Sequence, residues 1–312
     1  MTAESKHLKK NGHKKLIITL SVVFAVIAGI ISAYFIILKV DDADAYYNGV
    51  AYNYNEKLIN ILLIGVDREK PGASDKHQAD SLFLISLDSG KKSVNVISIS
   101  RNTLCNVDSY DINGNYFATE KQQLCLAYTY GNDDKRSSEL TVKAVSDFLY
   151  GIPIGGYYTV FMNSVKDIVN AVGGVPVSIT EDMTSANPAF KAGSQITVKG
   201  DNALEYLRFR GESNAPRLER QKAFIASFTA QAKKAVLKDL SLPVKMYNKL
   251  AANTVTNVDA ASAAYLASEA LGADFNFRGI EGTNGFDGAF ETFTADEDQL
   301  YKLLLDIFYI KQ

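Results

Sequence analysis

The sequence predicts an α/β protein: a three-layer α/β/α domain with a mixed central sheet, preceded by one N-terminal transmembrane helix. Three observations carry this. Leu16 to Leu38 runs 23 residues without a charge. From Asn60 onward, short apolar runs rich in β-branched residues recur between turn residues. They alternate with segments whose apolar residues fall at helical spacing, the pattern of buried strands covered by helices.

Residues 1–15 are polar and lysine-rich and read as a cytoplasmic tail. Residues 16–38 exceed the roughly 30 Å hydrocarbon thickness at about 1.5 Å per helical residue. The apolar run continues to Tyr34, Phe35 and Ile36 instead of ending at a small-residue cleavage site, so it reads as an uncleaved signal-anchor. Lysines precede it and Asp41, Asp42 and Asp44 follow, which places the N-terminus in the cytoplasm and the rest outside the cell membrane. Residues 39–57 are expected to be a juxtamembrane linker, and 58–312 a single extracellular domain.

Within the domain, residues 61–66, 82–87 and 94–99 read as buried strands. Residues 140–149 have helical spacing, 157–162 suit a strand, and 164–172 a helix stopped by Gly173-Gly174. Residues 175–180 are again strand-like. A helix follows Arg217, with two Ala-rich helices near 243–252 and 259–271. A further strand and a final helix over 295–309 complete the series, with Thr294 and Glu297 as a capping box.

The charge distribution narrows the function. Residues 1–40 hold six lysines and one acid, which leaves 27 basic and 34 acidic residues in 41–312. An acidic domain without a basic stripe is not a nucleic-acid binder. Yet ALEYLRFRGESNAPRLERQ (203–221) gathers Arg208, Arg210, Arg217 and Arg220. With YLRFR as a strand, Arg208 and Arg210 share one face, and Arg217 and Gln221 share a face of the helix that follows. Guanidinium forks match phosphate, so a phosphate-bearing ligand is the expected target. Asp67 and Asp80, at the ends of neighbouring strands, suit magnesium with phosphate oxygens completing its shell. His77 is the only histidine beyond the tail, which argues against Ser-His-Asp chemistry or a His-rich zinc site. Neither a Walker A nor a GxGxxG motif is present.

In order along the chain come NILLIGVDR (60–68), ADSLFLIS (79–86), VNVISISRNT (94–103), LAYTYG (126–131), IPIGGYYTV (152–160) and VNAVGGVPV (169–177). The G-x-x-A-L-x-Y-x-R-x-R run (200–210) and R-x-x-R-Q (217–221) follow. On this set, over roughly 58–240, the chain resembles the LytR-CpsA-Psr family of cell-wall glycopolymer transferases. The resemblance implies transfer of a glycan from a polyprenyl (pyro)phosphate to a peptidoglycan hydroxyl, with teichoic acid or capsular polysaccharide as cargo. It implies magnesium on Asp67 and Asp80, a pyrophosphate held by Arg68, Arg101, Arg208, Arg210, Arg217 and Gln221, and an apolar tunnel for the lipid. Catalysis would rest on Asp67, Asp80, Arg101, Arg208 and Arg210.

The chain departs from the family pattern at Gln78, Asn102, Gln123, Cys125 and Asn214. The alternative to a transferase is therefore a membrane-anchored protein that binds the lipid or glycopolymer without turnover. Two cysteines outside the cell invite a Cys105–Cys125 disulfide at the rim of the site, the alternative being two reduced thiols.

Overall fold

The computed structural model describes residues 45–72, 77–209 and 214–311. The tail 1–15, the apolar run 16–38 and the site candidate Arg210 lie outside the described residues. Among the described residues no helix is long and apolar enough to cross a membrane.

The strands are β1 (Ala45–Tyr47), β2 (Val50–Tyr54), β3 (Leu58–Val66), β4 (Ser81–Asp88), β5 (Ser93–Ile99), β6 (Leu104–Tyr110) and β7 (Tyr116–Gln123). A 3-10 turn (Leu124–Tyr130) leads into α1 (Asp134–Phe148), β8 (Gly156–Phe161), α2 (Met162–Ala171), β9 (Val175–Ser178) and β10 (Gln195–Val198). Then come α3 (Gly200–Arg208), α4 (Asn214–Lys238), α5 (Leu242–Leu250), β11 (Thr254–Thr256) and α6 (Ala260–Leu271). The chain closes with β12 (Asp274–Gly279), β13 (Gly282–Asp287), β14 (Phe290–Ala295), α7 (Glu297–Phe308) and β15 (Tyr309–Lys311).

A mixed six-stranded sheet, ordered β11-β8-β3-β4-β5-β12, sits at the centre. β3 is nearly continuous in apolar residues because both its faces are covered. Alternation sends Leu58, Leu62, Ile64 and Val66 into one core with α1 and α7 residues such as Val145 and Leu304. Ile59 and Ile61, with Phe83, Val94 and Val96, enter another with Ile225 of α4 and Leu266 of α6. A third core forms where α2, α3 and α4 close over β9 and β10 around Phe190, Tyr206 and Phe224.

β3 and β5 run in one direction with β4 reversed between them. Val66, Ser81 and Ile99 therefore share one end of the sheet, and Leu58, Asp88 and Ser93 share the other. The helix expected at 164–172 is α2. Gly173 and Gly174 stop it with φ of 86° and 100°, and a side chain at Gly174 would meet Lys199 and Thr197 within 3 Å.

Three expectations are corrected. Tyr206 to Arg208 are not a strand but the last residues of α3. Ala203, Leu204 and Leu207 repeat at helical spacing, and helix-favouring Ala-Leu-Glu-Tyr-Leu outweighs the local alternation. Residues 45–54 are not linker, because β1 pairs with β2 and β2 also pairs with β15 at the chain's other end. Aromatic packing of Tyr54 on Tyr309 and of Tyr47 on Tyr301 supports that pairing, which a polar-looking segment conceals. The final helix is capped by Asp296, whose carboxylate accepts from the Gln299 amide, while Thr294 remains in β14.

That cap is testable. Asp296→Ala should cost about 1 kcal/mol, lowering the thermal midpoint by about 2–4 °C, and Thr294→Ala should cost less than about 0.5 kcal/mol. Calorimetry of the two variants would show the reverse order if Thr294 were the cap.

Candidate active site

Three adjacent strands deliver charged residues to one end of the sheet. Asp67 leaves β3, Asp80 enters β4 and Arg101 leaves β5. The Asp80 amide donates to the Gly65 carbonyl at 2.7 Å, and the Asp67 amide donates to the Asp80 carboxylate at 3.2 Å. The two acids are thus held side by side by one backbone bond and by the Asp80 carboxylate accepting from the Asp67 amide. Arg101 pairs with Asp80 through one guanidinium nitrogen and donates to the Gln78 amide oxygen through another. Arg208, half exposed at the end of α3, pairs with Asp67.

α4 supplies the facing wall. Arg217, Gln221, Phe224, Ile225 and Phe228 follow i, i+4, i+7, i+8, i+11 spacing and line one cavity. That cavity is about 270 Å³ and closed by apolar side chains of β3, β4, β8, α2 and α3, with Asp67, Asp80, Arg208, Arg217 and Gln221 as its polar part. A second cavity of about 180 Å³ adjoins it, sharing Asp80, Ser81, Phe83, Arg217 and Gln221. Arg101, Asn102, Glu219 and Lys222 give this second cavity a larger polar share than the first.

Arg220 turns the other way. Its side chain is 4 % exposed, pairs with Glu181, and donates to the carbonyls of Tyr206 and Phe209 where α3 ends. Burial pulls its pKa down, opposed by the Glu181 carboxylate. Arg220 is therefore the clamp that fixes the end of α3, and so Arg208, against α4. Arg68 also leaves the site. It is buried against Asp134, lies 4.9 Å from the centre of the Phe161 ring, and donates to the Lys70 carbonyl at 3.0 Å. Asp134 also accepts from the Tyr128 hydroxyl and the Gly72 amide, so Arg68 organises the loop after β3 and does not line either cavity.

Cys105 and Cys125 are both buried and both free thiols, so the expected bridge is corrected. Cys125 faces Gln78, its sulfur 3.7 Å from the amide oxygen. Burial pushes Cys105 up to about 12, and Cys125 upward as well. A buried neutral thiol behaves as a small apolar residue, which is how these two are used.

The residues that depart from the family pattern are neighbours. Gln78 accepts from Arg101 and contacts Cys125, Gln123 donates to the Glu291 carbonyl at 2.6 Å, and the Asn102 amide lies 3.4 Å from the Glu291 carboxylate. Glu291 belongs to the hairpin β13–β14, which also pairs Phe293 with the Arg101–Thr103 turn. Glu291, Asp134 and Glu181 lie far in sequence from the side chains they meet, and no motif marks them. Asn214 opens α4, but its side chain is outside the described residues.

Among the described residues no group of three or more His, Cys, Asp or Glu is placed to hold a metal. The adjacent Asp67 and Asp80 carboxylates do fit a cation that takes one or two carboxylates and draws its other ligands from phosphate and water.

A family model described as the LytR_cpsA_psr family matches residues 37–305. The chain is 26 % identical over 266 residues to the polyisoprenyl-teichoic acid–peptidoglycan teichoic acid transferase TagV of Bacillus subtilis, spanning 78 % of this chain and 64 % of that one. It is 32 % identical over 154 residues to TagU of Bacillus mycoides, of the same description, spanning 49 % and 45 %. The chain therefore spans about half to two thirds of the length of these relatives. In fold it is similar to the crystal structure of B. subtilis TagV, with a TM-score of 0.63, 24 % identity and coverage of 81 % and 96 %. A structure of TagT bound to LIIa-WTA gives a TM-score of 0.61 at 21 % identity, covering 80 % and 89 %.

Two outcomes follow from the site. Arg220→Ala should destabilise the fold by about 3 kcal/mol, at the low end for a broken buried pair because Glu181 keeps contact with water. Arg217→Ala should lower the denaturant midpoint by less than Arg220→Ala, and equal losses would remove the distinction between clamp and ligand. The native thiols should resist a thiol reagent at pH 8 and react on unfolding. Because folding raises the Cys105 pKa above its ordinary value of 9.0, its contribution to stability is complete below pH 9 and is lost as pH rises toward 12. Rapid labelling of the folded chain would contradict that burial.

Proposed function

Because the chain belongs to the LytR_cpsA_psr family, we propose that it attaches a polyprenyl-(pyro)phosphate-linked anionic glycopolymer, of the teichoic acid or capsular polysaccharide type, to a peptidoglycan hydroxyl. The observation that carries the reading is the apolar cavity with Asp67, Asp80, Arg208, Arg217 and Gln221 gathered as its polar part. An isoprenoid has no polar group to satisfy, so apolar walls bind it by burial alone. Its pyrophosphate would then meet Arg208, Arg217 and Gln221, with Arg101 beside Asp80. Arg210 belongs to the same proposal on the resemblance, whereas Arg68 acts as a support for the loop after β3.

The acceptor oxygen forms a bond to phosphorus while the bond to the lipid phosphate breaks, and the electron pair leaves with that phosphate. The acceptor proton passes to a carboxylate, that of Asp67, Asp80 or a further aspartate, since no described histidine lines either cavity. Arginines already fixed around the pyrophosphate stabilise the developing charge without reorganising. The Arg208–Asp67 pair is exposed enough to exchange partners at little cost when phosphate arrives. Asp67 and Asp80 would hold magnesium, which would further neutralise the phosphoryl oxygens. The remaining architecture of the proposal is a single-pass anchor at residues 16–38 in the cell membrane, with the domain outside.

A second reading, a carrier that binds without turnover, is favoured by the engagement of Arg101 by Asp80 and Gln78. The full chain in vesicles, given polyprenyl-pyrophosphate-linked glycan and peptidoglycan, distinguishes the two. Magnesium-dependent product is expected, reduced at least about a hundredfold by Asp80→Asn or Arg217→Ala. Tight lipid binding that Arg217→Ala weakens, with no product under any metal condition, would establish the carrier instead.

A further inference from the structure

The apolar cavity lies between the sheet and helices α2 and α4, and α4 continues past it. From Arg217 at the charged end of the sheet, α4 descends until Lys233 reaches the Ala273 carbonyl, one residue before β12. Asp274 pairs with Ser93, so the last turns of α4 lie at the opposite end of the sheet from Asp67 and Asp80. There the chain turns through residues 239–241 into α5.

This elbow differs from the surface around it. Leu237, Leu240 and Val244 are 71 %, 75 % and 42 % exposed. Between Lys233 and Leu250, five lysines stand against one acid, Asp239, in a chain of formal net charge −2. Lys234, Lys238 and Lys245 are exposed beside the three aliphatic side chains. Asp239 accepts from the Ser241 amide and hydroxyl and pairs with Lys245, so the turn is held in shape. Exposed aliphatic groups bracketed by lysines match a surface that is apolar within and anionic at its boundary. The described chain also begins at this end. Ala45 pairs with Tyr52 beside the entry to β3, and 44 residues, including the apolar run 16–38, precede it.

We propose that the α4–α5 elbow is a docking surface for an anionic lipid membrane. Leu237, Leu240 and Val244 enter the acyl boundary, while Lys234, Lys238 and Lys245 meet the headgroups. The elbow then aims the apolar cavity at the bilayer from which an isoprenoid is drawn, leaving the charged end of the sheet turned away from it. The role given to the cavity rests on the reading above, whereas the docking itself does not.

The test uses the full chain in vesicles of phosphatidylcholine and phosphatidylglycerol. Leu240→Cys carries an environment-sensitive fluorophore, and Phe117→Cys, on the exposed hairpin β6–β7, serves as the comparison. The two natural cysteines are buried and stay unlabelled. Emission from position 240 should shift to the blue and be quenched by chain-brominated lipid, with position 117 unaffected. Emission at 240 that reports water, as at 117, overturns the proposal. In a transfer assay, Leu237→Ser combined with Leu240→Ser should slow a full-length isoprenoid donor in vesicles by about tenfold and leave a short, water-soluble donor unaffected. Equal slowing on both donors counts against docking. Absence of transfer by the unaltered chain would count against the transferase reading, and the emission measurement would still decide the docking.

Discussion

The pairing of β3 with β4 sets Gly65 opposite Ser81, and from that register the Asp80 amide reaches the Gly65 carbonyl and the Asp67 amide reaches the Asp80 carboxylate. β5, paired to β4 with Ile99 opposite Leu82, then delivers Arg101 to Asp80. A slip of one residue would reverse every side chain of β3 or β4 between the two cores, so hydrophobic burial locks the register. The charged site inherits that rigidity. Its carboxylates are placed by the sheet, not by a mobile loop.

α4 links this sheet-borne half to the remainder. Residues one turn apart on it have different tasks: Arg217 and Gln221 line the cavities, while Arg220 is buried in the carbonyls at the end of α3. The helix thereby couples three things: the position of Arg208 on α3, the apolar wall through Phe224, Ile225 and Phe228, and the exposed elbow at its far end. A guanidinium in a phosphate site and one in a structural clamp look alike in sequence. Burial and the presence of Glu181 tell them apart.

The neighbouring departures Gln78, Asn102, Gln123 and Cys125 belong to one local environment, bounded by Arg101 and the hairpin β13–β14. Neutral amides there meet Arg101, the Glu291 backbone and the Glu291 carboxylate without introducing unpaired charge. A single charged replacement would strand a partner.

How much was legible in the sequence follows from the range of the forces involved. The sequence by itself determined the buried strands, the order of helices around them, the Asp67–Asp80 pairing and the Arg217–Gln221 face, because periodicity and strand adjacency are local or nearly so. It misread 206–208, where a two-residue alternation of arginines concealed helical spacing of the apolar residues. It also misread residues 45–54, whose partner strand β15 lies at the other end of the chain. Only the tertiary structure decided that Arg68 and Arg220 support the site without lining it, that the two thiols stay unbridged, and that Glu291 adjoins Asn102 and Gln123. Each of those outcomes depends on a contact between side chains tens to hundreds of residues apart, and burial there selects the partner where composition cannot.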